Sequence, residues 1–313
     1  MLVRLNKWLE KFLPIITPIC VMIGVFLSER VEFLVFLVPY IFAVITLTSS
    51  LGIHPKELYH VFRHPLALFL SLFILQVCMP FLAFLVGTAL FGEAMATVTG
   101  LVLAFAIPTG VISLMWVTIY GGNRSLSLAI ILVNTLLSPI IVPLTLSIFI
   151  GFAVEMDTFG LIWGLLNMVV FPSLLGMMIN YFRKGKVEQL VKPLAPFSKF
   201  GIMFVIIINS SVAAPYLKQF NLNLLLILLS VLSLALFAYV LGFIIGKITK
   251  IGEAETISIM YNSGMRNIGV GAALAVLYFP PQTTLPVIIG TLFQQIIAAC
   301  CGKLIERRAK KNK

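Results

Sequence analysis

Residues 104–116 read AFAIPTGVISLMW, and residues 258–271 read SIMYNSGMRNIGVG. Each is an apolar helical run interrupted near its middle. Pro108 lacks an N–H and pushes Ile107 out of the α region, and Gly110 loosens the backbone just after it. In the second stretch, Asn262, Ser263 and Gly264 are followed by Arg266 and Asn267, a concentration of polar groups that a helix facing lipid would not carry. Gly110 and Gly264 lie 154 residues apart, close to the 157 that separate the starts of the apolar runs at 65 and 222. Glycine and proline alone often mean only a kink or close packing. Two breaks at equivalent positions mean more: unwound backbone at membrane depth must face protein or a wet cavity, and such pairs mark a midplane binding site.

The rest of the chain fits a membrane setting. Of 313 residues, 60% are apolar and 11% charged, where a soluble domain carries about 25% charged residues. Mean hydropathy is +1.10. Apolar runs fall at about 13–28, 33–51, 65–87, 96–120, 125–152, 159–181, 198–215, 222–246, 256–278 and 284–303. At roughly 20 residues per span, ten spans leave no room for a sizeable soluble domain. A soluble enzyme, a nucleic-acid binder and a disordered chain are excluded. The first run lacks a small-residue cleavage site and is not read as a signal peptide. Met1 to Phe12 is expected to lie at the membrane interface as a basic amphipathic stretch.

Alternating the connections puts 19 of the 22 basic residues on one side, together with both termini. The other side keeps Arg30 and Lys218 against Glu29, Glu32, Glu93, Glu155 and Asp157. The positive-inside rule then places both termini in the cytoplasm. The net charge of +11 is thus orientation and lipid contact, not a nucleic-acid footprint. Five plus five spans predict an all-α polytopic protein of inverted repeats, 1–152 and 153–303, with a basic cytoplasmic tail at 304–313. Cys20, Cys78, Cys300 and Cys301 lie in apolar stretches without metal-ligand spacing. His60 and His64 have i,i+4 spacing, and His54 is near, but no further ligand accompanies them. No HExxH, GxSxG or phosphate loop points to an enzyme.

Three segments resemble the bile acid:sodium symporter superfamily, including its bacterial members: IPTGVISLMWVTIYGGNRSLSLA (107–129), NTLLSPIIVP (134–143) and NSGMRNIGVGAALA (262–275). The resemblance covers nearly the whole length. It implies a panel domain of spans 1, 2, 6 and 7 and a core domain of spans 3, 4, 5, 8, 9 and 10, with spans 4 and 9 broken where they cross. It also implies organic-anion substrates such as bile acids, steroid sulfates or pantoate-like acids, coupled to two sodium ions. The auxin-efflux-like carriers share a related broken-helix architecture and are the nearest rival among transporters.

The resemblance carries the sodium ligands over only in part. Its first ion site maps to Ser113-Leu114, to Ser127 and Ile131, and to Asn262, where the family has a glutamate. The family motif around that glutamate, E-V-G-M-Q-N, reads Asn262-Ser263-Gly264-Met265-Arg266-Asn267 here. The second site maps to Gln76, backbone carbonyls, Asn262 again, and Arg266 in place of a glutamine. A hard cation wants about six oxygen ligands; Leu114 and Ile131 supply none, and Arg266 repels it. Arg266 lies 11 residues after Glu255, about 16 Å along a helix, and no acidic residue falls inside a span. It either takes the place of the second cation as a built-in positive charge or braces the helix crossing.

These residues predict a secondary transporter of a small or amphipathic organic acid, by alternating access, with sodium coupling weak or absent and no resident cofactor. An ordinary sodium-coupled symporter is the alternative, and an anion-binding channel or receptor is the alternative of another class. Half-helix N-termini near Val111–Ser113 and Met265–Gly269 are expected to turn positive dipole ends toward the substrate. By resemblance the substrate pocket takes in Thr109, Gly110, Val111, Asn267, Gln294 and Gln295. The expected setting is a lipid bilayer, the plasma membrane of a bacterium, and the sequence carries no signal for an oligomeric state.

Overall fold

The computed structural model describes residues 2–53, 65–151, 154, 156–183, 187–219 and 221–311. His54, His60, His64 and Glu155 lie outside them. Among the described residues the chain is helical, with no strand. The helices are α1 (Leu2–Phe26), α2 (Ser28–Ser50), α3 (Pro65–Phe91), α4 (Met95–Ala106), α5 (Ile112–Ile119), α6 (Arg124–Phe149) and α7 (Thr158–Phe182). They continue as α8 (Glu188–Val212), α9 (Leu222–Ile248), α10 (Glu253–Gly264), α11 (Ile268–Tyr278) and α12 (Pro281–Lys311).

Eight stretches among the described residues are long and apolar enough to cross a membrane: in α1, α2, α3, α6, α7, α8, α9 and α12. The expected fourth and ninth spans are instead helix pairs, α4–α5 and α10–α11, each parted by a few extended residues. The side chains fit a bilayer solvent. Phe26, Phe159, Leu222 and Ile140 are each at least two-thirds exposed, and helices with their backbone bonds closed internally tolerate such apolar surface only in lipid. The chain is an integral, multi-pass membrane protein.

Both basic ends are helical. The basic stretch before residue 13 continues the first helix without a break, as α1 starts at Leu2. The last helix likewise runs through the supposed tail to Lys311. Lys and Arg are good helix formers and extend a helix into water readily. Two π turns, at Ile74–Cys78 and Leu166–Val170, interrupt α3 and α7. In each case a proline, Pro80 or Pro172, stands two residues past the end of the turn. The missing proline N–H leaves the carbonyl four residues earlier without its normal partner, and the helix widens there.

Packing sorts the helices into two groups. The helices α1, α2, α7 and α8 lie against one another, α1 on α8, α8 on α2 and α2 on α7. Asn180 Nδ2 of α7 donates to the Leu51 carbonyl just past α2 at 2.8 Å. In the second group α3 packs on α4, α9 on α10, and α12 on α4, α9 and α11. The long α6 touches α4, α5, α7 and α10 and borders both groups. The main apolar core, with Val38, Leu75, Met79, Leu101, Ile107 and Ile288 fully buried, runs through both.

Candidate functional site

The two breaks meet and satisfy each other. Ile107, ahead of Pro108, takes φ −58 and ψ 150, the extended conformation that a following proline favours. Helix α10 stays regular through Asn262, Ser263 and Gly264 and ends only at Met265, with φ −106 and ψ 128. The polar triplet is therefore helical, and the unwound residues of the second break are Met265–Asn267. Gly264 is needed for contact: a Cβ there would sit 2.3 Å from the ring of Tyr239. Across the breaks, the Asn267 N–H donates to the Pro108 carbonyl and the Thr109 hydroxyl donates to the Met265 carbonyl, both at 2.8 Å. Backbone groups that lost helical partners are thereby paired, as membrane depth requires. Gly110 lies on this crossing, where a Cβ would come within 3.2 Å of the Arg266 carbonyl.

One cavity borders the crossing. Thr109, Gly110, Val111, Asn267, Gln294 and Gln295, the six positions expected to hold substrate, all line it together with Arg266. The first turns of α5 and α11 present Ile112, Ile268 and Gly269 to the same space, so the positive ends of both helices lie beside it. The opposite wall comes from α1, α2, α7 and α8 through residues such as Leu13, Phe42, Val169 and Val205. Sequence reasoning missed this wall's hydroxyls, Thr17, Thr46, Ser49, Ser50 and Ser173, and also Thr135 and Thr291. The run Thr46, Ser49, Ser50, Ile53 follows the i, i+3, i+4, i+7 spacing of one helix face, a signal that could have found it.

The glutamines are anchored. Gln294 Oε1 accepts the Arg266 backbone N–H at 3.0 Å, and Gln295 Oε1 accepts Trp116 Nε1 at 3.1 Å. Each thus keeps its NH₂ group for other partners. Arg266 is 3% exposed. Its Nη1 reaches the Ile107 carbonyl at 3.4 Å, while Nε and Nη2, both buried, have no partner. No carboxylate pairs with it among the described residues.

The positions matched to cation sites separate into two places. Ile131 and Arg266 line the cavity, and the other seven do not. Asn262, fully buried, is a junction: its Oδ1 accepts from Ser113 Oγ at 2.9 Å, and its Nδ2 donates to Ser127 Oγ and to the Ser258 carbonyl, both at 2.8 Å. The carbonyl of Ser258 only accepts, which fixes the orientation of the amide. Leu114 packs beside Leu128, Leu132 and Met177. Ser263 Oγ is buried without a partner, and Met265 contributes the carbonyl held by Thr109. Gln76 sits in the π turn of α3 and donates from Nε2 to Asn134 Oδ1 at 3.0 Å. Its remaining Oε1 and the Nδ2 of Asn134 are buried and unpaired. The pair resulted from α3–α6 packing and had no sequence signal.

A family model described as Sodium Bile acid symporter family matches residues 39–220. The chain is 45% identical over 296 residues to the uncharacterized protein YbaS of Bacillus subtilis (strain 168), covering 94% of this chain and 97% of that one. It is 26% identical to the uncharacterized sodium-dependent transporter YocS of the same organism, over 86% of this chain and 83% of the relative. The probable sodium/metabolite cotransporter BASS3, chloroplastic, of Oryza sativa subsp. japonica is 23% identical over 77% of this chain and 58% of its own length.

Proposed function

The chain belongs to the Sodium Bile acid symporter family, and from that premise we propose that it is a secondary carrier of an organic anion whose coupling to sodium is weak or absent. Each helix pair counts as one crossing, which makes ten, arranged as two inverted five-helix repeats. The group α1, α2, α7, α8 is the panel, and the helices around the crossing are the core. The cavity between them reaches Ser49, Ser50 and Ile53 at the end of α2, the side that the positive-inside rule assigns to the cytoplasm. This is the inward-facing half of an alternating-access cycle, in a bacterial plasma membrane. The relatives from Bacillus fit that setting.

One observation carries the reading: a buried arginine with two unpartnered N–H donors borders a cavity that also receives two helix N-termini. A carboxylate or sulfonate satisfies those donors in the planar geometry that a guanidinium prefers. Sodium is poorly served. Asn262 engages the oxygens of Ser113 and Ser127, and Leu114 and Ile131 offer only carbon. At an effective dielectric of about 20 and a separation of about 4 Å, Arg266 would repel a cation by roughly 4 kcal/mol, around 10³ in affinity. The ordinary sodium-coupled reading is favoured by the printed names of two relatives, a sodium-dependent transporter and a probable sodium/metabolite cotransporter. A thermal-shift panel tests the substrate class. Organic acids, including pantoate and taurocholate, should stabilise the protein, and stabilisation by cations or neutral solutes alone would overturn the reading.

A further inference from the structure

The cavity has two unlike sides. At the crossing its polar groups are largely committed. Thr109 gives its hydroxyl to the Met265 carbonyl, Thr291 gives its own to the Ile288 carbonyl, and the glutamine oxygens are taken by the Arg266 N–H and Trp116 Nε1. What this side keeps is chiefly N–H, on the glutamine amides and on Arg266, and those groups donate without accepting. Arg266 is also the one charged residue among the described residues that line the cavity. The crossing suits the acid end of a substrate.

The facing side carries six hydroxyls: Thr17 on α1, Thr46, Ser49 and Ser50 on α2, Thr135 on α6 and Ser173 on α7. Among the described residues, none of these hydroxyls has a hydrogen-bond partner. Inside a membrane helix a hydroxyl ordinarily turns to the carbonyl three or four residues back. Thr48 does so on this same α2, toward Val44 and Ile45, and Thr88 and Ser230 do so on α3 and α9. Nor are the six sealed. Thr17, Thr46, Ser50, Thr135 and Ser173 are each at most 9% exposed. Their oxygens nonetheless stay accessible, unlike the buried and unpaired hydroxyls of Ser71, Ser263, Thr283 and Thr284. The space they reach is the cavity they line.

A hydroxyl both donates and accepts, so a face of uncommitted hydroxyls is matched by groups that do the same. We propose that this face sets the carrier's specificity: it reads hydroxyl groups on the substrate, and the site selects a hydroxylated carboxylic acid over the same acid without its hydroxyls. The carboxylate sits at the crossing, the hydroxyls turn toward α2, and apolar lining residues such as Phe42 and Ile45 meet the carbon skeleton. Carbon walls alone would give the opposite order, because a hydroxyl set against carbon loses its water and gains no partner. The proposal rests on the organic-anion reading above and deepens it by naming the residues that choose among such anions.

The test measures binding to the purified full chain in mild detergent by isothermal titration, with matched pairs of acids. Pantoate is compared with 3,3-dimethylbutanoate, and gluconate with hexanoate, each second acid having the same skeleton without hydroxyls. The hydroxylated member should bind at least about tenfold more tightly, the ratio being read on whichever pair binds. Thr46→Val/Ser49→Ala/Ser50→Ala strips hydroxyls that hold nothing within the protein, so the melting temperature should stay that of the parent. The ratio should fall to about one or below, chiefly through weaker binding of the hydroxylated acid. Thr17→Val/Ser173→Ala, on two other helices, should lower the ratio as well. A parent that binds both members of a pair equally would overturn hydroxyl selection and leave the anion reading standing. Variants that keep the parent's ratio would overturn the assignment to this face. Binding of none of these acids, with no thermal shift by any organic acid, would overturn the anion reading and this proposal with it.

Discussion

Replacing Asn262 with leucine should destabilise the protein out of proportion to its size. The two side chains are similar in volume, so little cavity is created. What is lost is the acceptor for Ser113 Oγ at 2.9 Å and the donor to Ser127 Oγ at 2.8 Å, in a place where all three residues are fully buried. A buried hydroxyl left without a partner costs about 1–3 kcal/mol, so the pair should cost about 2–4 kcal/mol, reduced where a serine turns to a carbonyl on its own helix. The Ser258 carbonyl loses only an additional donor and contributes little. Removing all the polar partners together, as in Ser113→Ala/Ser127→Ala/Asn262→Leu, should recover at least half of the loss, because no orphaned group remains. Denaturant or thermal unfolding in one mild detergent measures both variants. A single leucine variant as stable as the parent, or a triple variant no better than the single, would refute the idea that this amide holds the junction.

Thr109→Val keeps the shape but strips the Met265 carbonyl of its 2.8 Å bond, and should cost about 1–3 kcal/mol, whereas Thr109→Ser should be near neutral; unfolding of the two variants side by side decides it. Gly269→Ala places a Cβ 2.5 Å from the Phe42 ring tip, at a contact between α2 and α11. It should lower uptake and stability together, with Phe42→Leu in the same chain restoring part of both; an alanine variant indistinguishable from the parent contradicts the packing. Asn262→Glu combined with Arg266→Gln should produce a sodium-dependent rise in melting temperature larger than the sum from either change alone, while Leu114 and Ile131 keep it modest. Additive effects would argue against coupling between the two positions.

The breaks were legible because proline and a buried arginine have few alternative meanings inside an apolar run. Pro108 set the first break where expected. The second lies at Met265–Asn267, just past the expected triplet: Asn262, Ser263 and Gly264 are helical, and the Asn262 side chain finds three partners. The six residues expected at the substrate site share a cavity since the two breaks cross. Gln76 illustrates what sequence withholds. Its pairing with Asn134 depends on how α3 lies on α6, which no local pattern encodes. The same is true of Trp116, which fixes Gln295 from another helix. At the basic ends, charge bears on helix position relative to the membrane without ending the helix.

The central claim is that a fixed positive charge has taken over from sodium. Uptake into proteoliposomes with sodium, potassium or choline outside, with the same organic acid inside and with or without a pH gradient, tests it most directly. The account predicts equal initial rates in all three salts and no response to the pH gradient. A steep sodium dependence, with a Hill coefficient near two (on the order of one ion for each of two sites), would contradict it. The ions would then be held by backbone carbonyls together with Gln76, Ser113, Ser127 and Asn262, with Arg266 serving to brace the crossing.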